Sequence, residues 1–221
     1  GLLVKVEVDI NRGIPSFNIV GLADTAVKEA KERVRSALIN SDYDFPLGRI
    51  TINLSPANIR KVGSLFDLPI AIGILAAIGH ISQEDIKNYM IIGELSLNGE
   101  LKRVNGALTL VMEGEKEDFK DFIVPEGNKD ECSLIKDINI YTFSTLKQCV
   151  SYLTYKDSLP IKNTSHSFAD SDYDCDFSDI IGQSSAKRAI EIACAGGHNL
   201  IMFGPPGVGK SQSIKALAKI L

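Results

Sequence analysis

The sequence predicts a mixed α/β architecture, α+β or α/β in class, and three observations predict it. Near the start, apolar residues recur at every second position, the period of a strand with one buried face. A little further on they recur at every third or fourth position, the period of a helix with one buried face. Near the end, a short apolar run, a glycine-rich loop and a helical stretch follow one another, as strand, turn and helix do in α/β folds. Strands and helices are thus interspersed along the chain.

Leu3 to Ile10 sets Val4, Val6, Val8 and Ile10 on one face and Lys5, Glu7 and Asp9 on the other, a half-exposed strand. Asn11-Arg12-Gly13 turns the chain, and Pro15 to Val20 is the expected second strand, closing a hairpin. Asp24 or Thr25 caps a helix whose stripe is Val27, Ala30, Val34, Ala37 and Leu38. Its outer face carries Lys28, Lys31 and Arg35, and Glu29 stands four residues before Arg33, a spacing that favours an ion pair. Arg49 to Leu54 alternates again as a third strand. Past Pro56, Arg60-Lys61 and Gly63-Ser64, a helix runs from near Asp67 to Ile78, with an acid at the end the helix dipole favours.

Tyr89 to Leu95 reads as a strand, and Asn98-Gly99 as a hairpin turn into Glu100 to Val104. Gly106 to Glu115 is helical. Phe122 to Pro125 and Ile138 to Phe143 are short strands, and Ser144 caps a last helix through Tyr152. From Tyr155 to Asp176, Ser, Asp, Asn and Lys dominate, the composition of a linker. Asp170, Asp172 and Asp174 alternate there but lack the glycine and glutamate of a calcium loop, so a solvated linker is the better account. The expected layout is one domain over 1–155, a linker over 156–175 and a second domain begun at 176–221. In that last part, Ser184 or Ser185 caps a helix from Ser185 to Ala195, and Gly196-Gly197 ends it in a left-handed cap.

Asn199-Leu200-Ile201-Met202-Phe203 then reads as a buried parallel strand. Gly204-Pro205-Pro206-Gly207-Val208-Gly209-Lys210-Ser211 follows and fits G-x-x-x-x-G-K-[ST], the phosphate-binding P-loop. Glycines at 204, 207 and 209 allow positive φ and close approach, so that successive N–H groups point into one concavity. Lys210 supplies a cation for the β- and γ-phosphates of ATP, and Ser211 a hydroxyl for magnesium. Residues 213–221 continue with helical spacing, which places the loop at a helix N-terminus, where N–H groups are unsatisfied. His198, just before the strand, either lines a nucleotide pocket or packs in the turn, and its spacing favours packing. A P-loop NTPase also needs an acid for the magnesium and a residue that orients the attacking water. Too few residues follow Ser211 to hold them, so the sequence reads as the front part of a longer protein that does not turn over nucleotide as it stands.

Hydrophobic residues make up 44% of the 221 and charged residues 24%, an ordinary balance for a globular protein. No apolar run approaches the roughly 18 residues of a membrane span. There is neither a signal-peptide pattern nor an initiator Met, as in a trimmed fragment. Cys132, Cys149, Cys175 and Cys194 are far apart with no C-x-x-C, which disfavours a metal cluster or disulfide framework and fits a reducing cytoplasm. A net charge of −4 excludes a globally basic nucleic-acid binder, so any such contact is local or lies beyond this part of the protein. The Lys28, Lys31 and Arg35 face is a candidate for it, although its interleaved glutamates make a merely solvated face the plainer account.

Two stretches carry a family resemblance. Asp176 to Gln183, Ala186-Lys187-Arg188-Ala189, and Ala195-Gly196-Gly197-His198-Asn199-Leu200 leading into the P-loop resemble the start of a magnesium-chelatase-type AAA+ module. Phe17 to Leu22, Asp24 to Arg35, Ile52 to Ala57 and Gly63 to Ala71 resemble the domain that precedes this module in the ComM/YifB family. The resemblance implies that the first domain shares the fold of the Lon protease domain, with 94–102 and 122–128 as corresponding parts. Aligning Gly63 and Gly106 with the Lon glycines puts Leu65 near the nucleophile position and Leu108 at the lysine position. Ser64 lies one residue away, and Lys61 and Lys102 are out of register, so the implied scaffold is an inactive one.

The family further implies that Gly182-Gln183 approaches the adenine, and that the protein binds ATP and Mg. It implies a homo-oligomeric, hexameric ring that works on DNA, with branch migration in natural transformation as the best-attested role. A chelatase-type motor subunit, a binding or assembly module, and a Ser–Lys peptidase are the alternatives.

Overall fold

The first two alternating runs form β1, Lys5–Asn11, and β2, Ser16–Val20, but they do not pair with each other. In the computed structural model, which describes residues 3–161 and 176–217, the chain divides into two compact units, Gly1–His166 and Ser167–Leu221. In the first, β3, Arg49–Ser55, lies between β1 and β2. It runs antiparallel to β1, with Val8 opposite Ile52, and parallel to β2, with Ile19 opposite Ile52. The expected hairpin is therefore corrected. Ile50, Ile52 and Leu54 are all buried, so β3 is the strand that both neighbours flank. A parallel pair also needs a long crossover, and α1, Thr25–Asn40, supplies it between β2 and β3.

Asp24 is the cap of α1, accepting from the Val27 N–H at 2.8 Å. Val27, Ala30, Val34, Ala37 and Leu38 are buried, as their spacing predicts. They pack with α2, Asp67–Ala77, an apolar helix buried on most sides. α3, Gln83–Ile86, follows. The stretch expected as one strand over 89–95 is two: β4, Tyr89–Ile91, and β5, Glu94–Leu95, in different sheets. The break lies at Gly93, whose backbone is taken by the start of α2: its N–H donates to Leu65 and its carbonyl accepts from Leu68. The Asn98-Gly99 turn forms, joining β5 to a β6 of only Leu101–Lys102.

α4, Ala107–Lys116, leads to β7, Asp121–Pro125, which is parallel to both β4 and β8, Asn139–Phe143. α5, Lys129–Cys132, lies between these last two strands in sequence. α6, Leu146–Tyr155, is capped by Thr145 and not by Ser144, because Thr145 has Gln148 at the third helical position to complete a capping box. One core joins α1, α2 and α6 to the first sheet, and a second lies between α4 and the face of β7 and β8. Of the segment read as linker, 162–175 lies outside the described residues, including Asp170, Asp172 and Asp174. Ile161 donates its N–H to Ile140 at 2.8 Å, so the part before it follows the first unit.

The first described element of the second unit is a 3-10 turn at Phe177–Asp179, where the Asp176 N–H donates to the Asp179 carboxylate and the Asp176 carboxylate accepts from the Ser178 N–H. α7, Ser184–Gly196, is preceded by Gln183 in left-handed conformation, with no side-chain cap from Ser184 or Ser185. Gly197 ends it in the left-handed cap the sequence predicts. α8, Lys210–Leu217, follows the glycine loop. Residues 199–203 form no strand. Ile201 is 93% exposed and Phe203 fully so, because no strand lies beside them among the described residues to complete a ladder.

Candidate nucleotide-binding site

The loop ahead of α8 has the backbone that anion binding asks for at two of its three glycines. Gly207 and Gly209 each have φ +84°, and an added Cβ would meet nothing within 4 Å at either. Gly204 differs from expectation: its φ is not positive, and a Cβ there would touch the Val208 side chain at 3.4 Å. Pro205, Pro206 and Val208 are exposed along the loop. Lys210 opens α8 and folds over the loop, its Nζ donating to the carbonyls of Gly204 and Pro205, each at 2.7 Å. Ser211 is exposed in the first turn of α8, and Ser213 is held to Gly209 through both N–H and hydroxyl. Two glycines at positive φ, a helix N-terminus, a lysine ammonium over the loop and an exposed hydroxyl are groups that could hold a magnesium-bound triphosphate.

A cavity of about 240 Å³ extends from Lys210 between α7 and residues 200–203, lined by Gln183, Ile190, Leu200 and Phe203 among others. Gln183 borders it at φ +54°, and Gly182 just before it has φ +74°. One cavity thus joins the phosphate-binding loop to the segment expected at the base, with apolar surface between them. His198 does not line the cavity and stays exposed in the turn: its N–H donates to Ala193, and its ring lies where a Cβ on Gly196 would be.

In the first unit, Lys28, Lys31 and Arg35 are exposed on one side of α1, with Glu29 and Glu32 also exposed. The Arg35 guanidinium sits 5.6 Å from the centroid of the Phe45 ring. Arg33 does not pair with Glu29. It turns inward, Nε donating to Asp67 at 2.7 Å and Nη2 to Asp67 at 3.0 Å and to the Ala26 carbonyl. Asp67 is fully buried and also accepts from the Leu95 N–H. Burial pushes its carboxyl above the ordinary carboxylate range, against the pull of Arg33 and Leu95, while the same hydrogen bond raises the Arg33 guanidinium. Ionisation is thus costly at Asp67 and favoured at Arg33. The spacing rule for Glu29 concealed this pair; the signal was an acid set in the apolar run that α2 buries.

Ser64 donates its hydroxyl to the Glu94 carboxylate. Lys61 is buried and donates to the Pro56 carbonyl, while Lys102 pairs with Glu100. Among the described residues no amine or imidazole bonds to Ser64, and no cluster of His, Cys, Asp and Glu could hold a metal ion.

Residues 6–128 match the family model described as subunit ChlI of Mg-chelatase, and residues 176–221 match another, described as magnesium chelatase, subunit ChlI. The chain belongs to the magnesium-chelatase ChlI family. It is of the ComM/YifB type within that group. It is 42% identical over 224 residues to the competence protein ComM of Haemophilus influenzae, covering 99% of this chain and 44% of that protein. It is 42% identical over 209 residues to the uncharacterized protein YifB of Escherichia coli, covering 95% and 41%. It is 37% identical over 223 residues to the uncharacterized protein Rv2897c of Mycobacterium tuberculosis, covering 100% and 44%. The chain therefore spans less than half the length of these ChlI-family relatives. No helix among the described residues is long and apolar enough to cross a membrane.

Proposed function

We propose that this ChlI-family chain is part of a cytoplasmic AAA+ ATPase that binds ATP with magnesium and acts on DNA as a hexameric ring. The observation that carries the nucleotide reading is the loop itself: Gly207 and Gly209 at positive φ, directly ahead of a helix opened by Lys210 and Ser211. On this reading Lys210 exchanges its two loop carbonyls for phosphate oxygens, and Ser211 presents its hydroxyl to magnesium. Gln183 bounds the base end. The likeness to a competence protein supports the DNA part, with Lys28, Lys31 and Arg35 as the contact in the first unit. The Lon-like relationship of that unit belongs to the same proposal. Peptidase chemistry does not, because Ser64 donates to a carboxylate and, among the described residues, no amine bonds to it.

The family name itself favours a second reading, a motor subunit that inserts a metal into a porphyrin. ATP turnover by the protein at its full encoded length, with and without branched DNA and beside Lys210→Ala, separates the two. The DNA-motor reading expects turnover that branched DNA stimulates and the substitution abolishes. Lysine-dependent turnover indifferent to DNA would transfer the argument to the chelatase-type motor, and no turnover at all would defeat both.

A further inference from the structure

Resting on the nucleotide-site reading above, we propose that Lys187 is a positioning residue that locks the segment 177–183 against α7 and thereby sets the nucleobase end of the site. The lysine side chain grips this segment at two points, and the first backbone bond of α7 adds a third that any residue at 187 would make. Its Nζ donates to the Phe177 carbonyl at 2.7 Å and to the Ile180 carbonyl at 2.5 Å, and its own N–H donates to the Gln183 carbonyl at 2.9 Å. Lys187 is half-buried, so its ammonium is committed to these carbonyls more than a solvent-facing lysine would be.

What it holds is a conformation the chain does not adopt cheaply. Gly182 and Gln183 are both left-handed, at φ +74° and +54°, and the left-handed region is unfavourable for a residue with a side chain such as glutamine. No side-chain cap secures the start of α7 either. The 3-10 turn at Phe177–Asp179 lies against α8, the helix that Lys210 opens, so the locked segment touches the phosphate-binding helix at one end and borders the cavity at Gln183 at the other. Lys187 faces the backbone of that segment and not the cavity lining, which makes it an orienting group without contact to nucleotide. Its loss releases the Phe177 and Ile180 carbonyls, so that the chain leading into the left-handed Gly182-Gln183 pair, and with it the base wall of the cavity, is free to move.

The test is calorimetric titration of the full-length protein with ATP and, separately, with inorganic tripolyphosphate, both with magnesium. Wild type is compared with Lys187→Met, Lys187→Arg and Lys210→Ala. Lys187→Met is expected to raise Kd for ATP about tenfold, as for the loss of one charged hydrogen bond's worth of organisation, with Kd for tripolyphosphate unchanged. Lys187→Arg, which can still reach both carbonyls, should recover most of the ATP affinity. Lys210→Ala should weaken both ligands. Faster amide hydrogen exchange in Lys187→Met should be confined to residues near 177–184. If Lys187→Met leaves ATP affinity as it was, or weakens ATP and tripolyphosphate equally, the lysine does not position the base end. If wild type binds neither ligand, the nucleotide reading itself has failed.

Discussion

Asp67 has no exposed surface, so its charge must be met inside the protein, and the Arg33 fork with the Leu95 N–H is what meets it. Arg33→Met leaves a buried carboxylate unpaired and should cost about 3–5 kcal/mol in urea unfolding. Asp67→Asn should cost less, and Arg33→Met with Asp67→Leu should recover most of the loss; a single substitution within about 0.5 kcal/mol of wild type would show the pair to be idle. The thiols give a second prediction. Burial pushes both Cys132 and Cys149 up to about 12. An unfolded thiol ionises near pH 8.5, so above that pH the unfolded chain loses protons that the folded chain keeps. Stability is therefore whole below about pH 8.5 and falls as pH rises toward 12. At pH 8, iodoacetamide should label Cys194 in the folded chain and reach Cys132 and Cys149 only on unfolding; labelling of Cys149 at the rate of Cys194 would contradict its burial. At this scale the sequence was legible where one residue suffices, as in the Asp24 cap. It was not legible where two distant residues meet, as Arg33 and Asp67 do.

Periodicity in the sequence revealed strands and helices well but not their partners. The alternation in β1, β2 and β3 was plain, yet which strand is central depends on Ile50, Ile52 and Leu54 being buried while both neighbours are half-exposed. A short turn suggested a hairpin; the length of α1 allowed the parallel pairing that formed. Gly21 records the consequence. It follows β2 at φ +101°, and a Cβ there would lie 2.2 Å from the Leu54 carbonyl oxygen, a backbone atom that cannot swing away. Gly21→Ala should therefore destabilise the first unit by well over about 1 kcal/mol, since φ and contact both oppose it. Gly13→Ala, also at positive φ (+154°) but with nothing within 4 Å of an added Cβ, is the control that keeps the backbone strain and removes the contact. Equal Tm values for the two variants would mean that β2 does not approach β3 as described. The expected strand at 199–203 shows the converse: its residues are apolar enough for a sheet, but a strand is a property of a pair, and none of its neighbours is among the described residues.

Across this chain the charge is −4, so any contact it makes with DNA cannot come from a general positive field and must use a local patch. Lys28, Lys31 and Arg35 form such a patch on α1, with Glu29 and Glu32 beside them to limit its strength. If the patch tracks a phosphate backbone, each contact releases close to one counterion, and the slope of log K against log salt reports how many are made. Reversing all three to Glu in the full-length protein should weaken binding to duplex and branched DNA alike, and reduce the slope by about 2 to 3. Arg33 should not be changed with them, because its loss would act through Asp67 and the fold. A slope unaltered by the triple reversal would leave α1 a solvated face and move the DNA contact to another part of the protein. A reduced slope with unchanged preference for branched over plain duplex would assign these residues to backbone tracking, and leave recognition of the branch to groups elsewhere.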